Sequence, residues 1–128
     1  MKITPVLIVE EIEPCLPFWI DRLGFQNVAE VSEETPEGDR IGFVMLVRDG
    51  TELMLQSALS VAKDAAIFAP RGASRVASLF IEVDDFADTL RRLDGYPIAM
   101  PERKTFYGMR EIGVFDPGGN IVVFAVKG

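Results

Sequence analysis

Apolar positions along this chain follow two spacings, and the spacings alternate in the same order twice. Residues 3 to 9, ITPVLIV, read as a strand. EPCLPFWIDRLGF then places Leu16, Trp19, Ile20 and Leu23 three and four residues apart, which predicts a helix with one apolar stripe. Pro14 suits its first position, Pro17 falls in its first turn, and Gly24 stands where a C-cap belongs. Three strand-like segments follow, at about 26–33, 40–48 and 51–57, with RDGT as the turn of the last hairpin. The order is β-α-β-β-β.

The second half repeats it. ASLFIEVD reads as a strand and DFADTLRRLDG as a helix, with Asp85 as N-cap, a stripe of Phe86, Leu90 and Leu93, and Gly95 as the stop. Strands near 97–103, 108–115 and 120–126 complete the series. VEEI at 9–12 matches VDDF at 83–86, and DGTELML at 49–55 matches GGNIVVF at 118–124, offsets of 74 and 69 positions. The expected organisation is a first βαβββ module over 1–57, a linker over 58–75 carrying Pro70 and Gly72, and a second module over 76–128. Together they form one compact α+β domain, with two curved mixed sheets, outer helices and a concave inner face.

Strand parity says which side chains that inner face carries, because alternate residues of a strand point to opposite sides. Glu52, Met54 and Gln56 share one face, and Leu53 and Leu55 the other. The repeat carries the first set to Ile121, Val123 and Ala125. Thr4, Val6 and Ile8 likewise correspond to Ser78, Phe80 and Glu82.

Composition narrows the chemistry. The chain has 128 residues, is 48% hydrophobic and 26% charged, and contains no histidine, so the commonest general base and transition-metal ligand are both missing. A net charge of −7 disfavours nucleic acid and favours a cationic ligand. The single Cys15 cannot close an internal disulfide and reads as a small buried thiol on the helix. The apolar run after Lys2 is short and ends at Glu10 and Glu11, so neither a signal peptide nor a membrane span is expected, and a cytoplasmic protein is.

Three stretches in order carry a resemblance: TPVLIVEEIEPCLPFWIDRLGF, FIEVDDFADTL and YGMREIGVFDPGGNIVVF. Together they resemble the glyoxalase/bleomycin-resistance/dioxygenase superfamily, also called vicinal oxygen chelate proteins, on its metal-free bleomycin-resistance-like side. The resemblance implies paired βαβββ modules, cup-shaped sites and assembly as a homodimer. Metal-dependent members of this superfamily hold one divalent ion through four residues, one from each central strand. By motif those places fall on Thr4, Met54, Ser78 and Val123. A valine, a thioether and two neutral hydroxyls make a poor donor set for a hard or borderline cation, so no metal and no cofactor is expected. A set built instead on Glu52, Glu82 and Glu111 is disfavoured, because their spacing does not bring them to one point.

The leading expectation is a binding protein that sequesters a small organic compound, cationic or aromatic and antibiotic-like, without transforming it. Val6, Met54, Phe80 and Val123 would supply apolar walls, and Thr4, Gln56 and Ser78 hydrogen-bonding groups. Tyr107 and Arg110, beside Phe106 and Gly108, would form a lid or plain loop packing. Trp19 joins the set, with helix-to-sheet packing as the favoured alternative. The rival readings are a glyoxalase-like lyase, isomerase or dioxygenase-related enzyme, with Tyr107 or Glu111 as acid or base on a small carbonyl compound, and an assembly module whose cavity Met54 and Phe80 fill. The DPGGN turn at 116–120 reads as structural: Gly118 and Gly119 permit positive φ and Asn120 caps it.

Overall fold

The computed structural model describes residues 2–65 and 76–128. The chain divides into two compact units, Met1–Arg75 and Val76–Gly128. The second part of the expected linker, 66–75, lies outside the described residues.

In the first unit, β1 (Val6–Val9) is followed by a helical segment and then by β2 (Gln26–Thr35), β3 (Gly38–Arg48), β4 (Thr51–Ser57) and α1 (Ala58–Asp64). The sheet order is β1-β4-β3-β2, with β1 parallel to β4 and the other pairs antiparallel. β1 begins at Val6, three residues later than the expected strand does, so Thr4 precedes it. Within the turn between β3 and β4, Asp49 and Gly50 both have positive φ, 49° and 75°, the geometry that matches the twist of a two-residue hairpin.

The helical segment is not the regular α-helix that the stripe predicts. It winds as a 3-10 turn over Glu13–Cys15 and as a π-helix over Pro17–Arg22. Pro17 has no amide hydrogen to donate to Glu13, so the regular ladder breaks there. The Leu23 amide reaches back five residues to the Phe18 carbonyl at 3.1 Å, and the Phe25 amide six residues to Trp19 at 3.0 Å. This wide winding turns Trp19 fully inward, 0% exposed, edge-on to Phe18 and Phe25 with ring centroids 5.0 and 5.4 Å away. Its indole Nε1–H has no partner there, a cost of about 1–3 kcal/mol that burial of the rings has to exceed. Cys15 is buried on the same segment.

The second unit contains β5 (Ser78–Glu82), α2 (Phe86–Arg92), β6 (Met100–Lys104), β7 (Met109–Phe115) and β8 (Ile121–Lys127), in the sheet order β5-β8-β7-β6. Asp85 caps α2 as expected, accepting from the Asp88 amide at 2.9 Å. β5 runs parallel to β8, and the register repeats that of the first unit. Val6 stands opposite Met54 and Ile8 opposite Gln56; Phe80 stands opposite Val123 and Glu82 opposite Ala125. The sequence offsets of 74 and 69 therefore carry one pair of strands onto the other residue for residue.

The core of each unit lies on one face of its sheet. Leu7, Val9, Val44, Leu46, Leu53 and Leu55 are buried in the first, and Ile112, Val114, Val122 and Phe124 in the second. Arg48 ties the helical segment to the first of these faces, its guanidinium donating to the Leu23 carbonyl at 2.7 Å. The DPGGN turn fastens β8 to β5: the Asn120 amide donates to Asp116 Oδ1 at 2.7 Å, and Asn120 Oδ1 accepts from the Ala77 amide at 2.9 Å. Of the two glycines only Gly119 takes positive φ, at 87°.

Because Trp19 is sealed into the first unit, its fluorescence should be blue-shifted and shielded from soluble quenchers until the unit unfolds. Trp19→Ala should cost about 3–5 kcal/mol in chemical denaturation. A wild-type tryptophan quenched like a free indole would show the segment to be wound differently.

Candidate functional site

The face of each sheet opposite the core is mixed: Val6, Phe80, Phe115 and Ile121 on it are exposed, while Ile8, Met109, Glu111 and Ala125 on it are buried. Across the first sheet one row runs Val6, Met54, Met45 and Ala29, and the rows beside it contain Gln56 with Phe43 and Glu52 with Val47. Across the second sheet the equivalent row is Phe80, Val123, Gly113 and Met100, flanked by Ser78, Ile121 and Phe115. Phe80 and Phe115 are 55% and 53% exposed, unusual for aromatic rings on a sheet. Gly113 has no side chain, and the Met100 side chain fills the space where a Cβ would stand, 3.0 Å from Met100 Cβ.

The residues singled out from the sequence divide by face. Val6, Met54 and Gln56 share the open face of the first unit, and Ser78, Phe80 and Val123 that of the second. Gln56 also donates to Ser60 Oγ at 2.9 Å, which orients its amide towards α1. Trp19 is elsewhere, in the core, so it cannot touch a ligand on this face. Arg110 is also elsewhere: it shares the parity of Ile112 and Val114, stacks over the Phe86 ring of α2 at 4.9 Å and pairs with Glu102 at 3.3 Å. Register, not proximity in sequence, separates Arg110 from its neighbour Glu111.

Glu111 is the polar centre of the second unit's open face. It is 1% exposed. Its Oε1 accepts from Arg103 Nε and Nη2 at 3.2 and 3.0 Å, across the β6–β7 pair where the two residues stand opposite each other. Its Oε2 accepts from the Tyr107 hydroxyl at 2.5 Å. The carboxylate raises the Tyr107 phenol above its ordinary value, chiefly through this hydrogen bond. Tyr107 hangs from a closed turn rather than a loose lid: the Thr105 amide donates to the Met109 carbonyl at 2.8 Å, and the Met109 amide to Thr105 Oγ1 at 3.0 Å.

Sequence reading missed Arg103 and Phe115. The signal for both is parity counted from Glu111 and Val123, once the bulge between Met100 and Arg103 is known. Phe115 also edges a groove of about 410 Å³ with Tyr96, Pro97, Ile98 and Ala99.

The four places corresponding to superfamily metal ligands do not fit an ion. Val123 offers no donor, Met54 a soft thioether facing Val6, and Thr4 and Ser78 neutral hydroxyls. The three glutamates do not replace them: Glu52 pairs with Lys2, Glu111 is occupied by Arg103 and Tyr107, and Glu82 is exposed. Among the described residues no three carboxylate or thiol side chains are grouped to hold an ion.

The model of the glyoxalase/bleomycin resistance protein/dioxygenase superfamily matches residues 3–124. The chain belongs to this superfamily. Its fold is similar to that of the bleomycin-binding protein of bleomycin-producing Streptomyces verticillus, solved with copper(II)-bleomycin: 25% identity, TM-score 0.63, covering 100% of this chain and 96% of that one. It is also similar to TioX from Micromonospora sp. ML1, with 16% identity, TM-score 0.76 and coverage of 99% and 98%. A lactoylglutathione lyase from Agrobacterium tumefaciens shares 18% identity at TM-score 0.74, covering 98% and 92%. No curated protein matches the chain. No helix among the described residues is long and apolar enough to cross a membrane.

Glu111→Gln should bring the Tyr107 phenol down towards its ordinary value, read as phenolate absorbance against pH. The sign follows from linkage: a raised phenol stabilises the fold below its ordinary pKa, and that contribution is lost as pH rises through the folded value. The variant should therefore lose the alkaline part of the stability profile that Tyr107 causes. Elemental analysis of the purified protein should find less than one equivalent of transition metal per chain; a stoichiometric ion would overturn the reading of the four ligand places.

Proposed function

We propose that this protein binds a small organic compound on its open sheet faces without a metal and sequesters it unchanged. The observation that carries this reading is the exposed apolar surface of Phe80, Phe115 and Ile121 beside Val123, on a face whose opposite side is a closed core. Isolated exposed apolar residues are ordinary, but adjacent ones in register on one sheet face mark a binding surface. The bleomycin-binding protein, similar over the full length, supports an antibiotic-like ligand. The net charge of −7 raises the local concentration of cations, and aromatic faces accept them, so a flat compound with a cationic group fits best. A homodimer in the cytoplasm completes the proposal; burial of the ligand between subunits would exclude water from it.

A second reading, acid–base chemistry on a small carbonyl compound, has one observation in its favour, the short Tyr107–Glu111 hydrogen bond. The raised phenol stays protonated at neutral pH, so Tyr107 is a donor and not a base, and both Glu111 oxygens are engaged. Binding needs neither group to change protonation.

Bleomycin, metal-free and copper-loaded, is the first probe. Binding should raise the melting temperature with concentration, because a ligand that prefers the native state stabilises it. Phe80→Ala, a change at an exposed side chain, should leave the unliganded melting temperature nearly unchanged and weaken binding about tenfold. Turnover of a bound carbonyl compound would favour the enzyme. Indifference to bleomycin and to a panel of cationic aromatic antibiotics would remove the sequestration reading.

A further inference from the structure

The apolar rows of the second unit end at a charged group that neither the family's ligand places nor the sequence pattern points to. Arg103 lies on edge strand β6, directly opposite Glu111 on β7, and shares the open face with it. Its guanidinium is bonded through Nε and Nη2 to a single oxygen of Glu111, and its side chain is 56% exposed while that of Glu111 is 2% exposed. A planar guanidinium has five N–H groups in a fixed fork. Gripped on one edge by a buried carboxylate, it holds its other edge, Nη1 with the second Nη2 hydrogen, towards solvent. Among the described residues Arg103 has no further partner on that edge.

The row beside it is Phe80, Val123, Gly113 and Met100. An apolar floor therefore adjoins a fixed pair of donors spaced for two oxygens of one planar or tetrahedral anion. The carboxylate behind the fork fixes it, and Tyr107 fixes the carboxylate from its other oxygen. A lysine on an edge strand would give a mobile point charge; this arrangement gives a direction.

We infer that Arg103 is the specificity-determining group of this face, and that the ligand carries a carboxylate, sulfonate or phosphate-type oxygen pair on an apolar, aromatic body. The inference rests on the open face being a small-molecule site, and it deepens that reading. The net acidic charge and the fork act at different ranges: the first attracts a cation from a distance, and the second selects an oxygen pair at contact. A ligand with both groups satisfies both.

The test uses two aromatic probes of opposite charge on the whole protein, anilinonaphthalene sulfonate by fluorescence titration and naphthylmethylammonium by calorimetry. Arg103→Lys keeps a positive charge opposite Glu111 and removes the fork. The paired change Arg103→Gln with Glu111→Gln removes both charges, so that no buried carboxylate is left alone, and far-ultraviolet circular dichroism with a calorimetric melting curve like the wild type's reports that both units are folded. Sulfonate affinity should fall several-fold in the first variant and about tenfold or more in the second, with ammonium affinity unchanged. If both variants bind the sulfonate as the wild type does, Arg103 is not the selector, while the small-molecule reading stands on the wild-type binding. If the wild type binds neither probe, both fall together.

Discussion

Each unit depends on one piece of pairing: a short first strand lying parallel beside the last long strand of its sheet, β1 against β4 and β5 against β8. Parallel pairing needs a crossover, and the residues between these strands supply it as a helix followed by a hairpin. Because side chains alternate with period two, the register of that one pair decides which residues of the whole sheet go to the core and which stay open. A slip of one position would send Leu53 and Leu55 outward and Met54 inward. Burial of Leu55, Val44 and Leu7, at about 1.5–3 kcal/mol for each fully buried side chain, holds the register where it is.

The open faces follow from that constraint, and their chemistry from what stands on them. In the first unit the central row is built of flexible thioethers, Met54 and Met45, beside Val6. In the second it is Phe80 and Val123, with Gly113 leaving the floor low and Met100 lying over it. Neither row offers hard donors at the places where relatives of this fold hold ions. At those places stand a hydrocarbon side chain at Val123, a thioether at Met54 and neutral hydroxyls at Thr4 and Ser78, a poor donor set for a hard cation.

Three polar groups on these faces are held, while Glu82, in the row of Glu111 and Ala125, is exposed. Glu52 is tied to Lys2, Gln56 to Ser60, and Glu111 to both Arg103 and Tyr107. The buried Glu111 carboxylate would be costly without both partners, and its demand for them is what orders the 105–109 turn and the edge arginine. Rigidity of this kind gives direction to any contact with a ligand and lowers the entropy lost on binding.

The alternation of apolar residues, the turn residues and the internal match at offsets of 74 and 69 were enough to determine the order of strands in each unit and the shared face of Val6 with Met54 in the first and of Phe80 with Val123 in the second, but not the helix over Ala58–Asp64, which falls in the expected linker. Those are local properties, written in period two and in the few residues that tolerate a tight turn. Three things were decided only by tertiary structure. Pro17 and the need to bury Trp19 together turned an expected α-helix into a π-wound segment, because burying a large ring outweighed the regular ladder. A bulge in β6 set Arg103 opposite Glu111, a partnership that no spacing in the sequence announces. The face on which Arg110 lies, against Phe86 and away from Glu111 beside it, depends on which side of β7 the helix covers, and that is settled by packing between segments far apart in the chain.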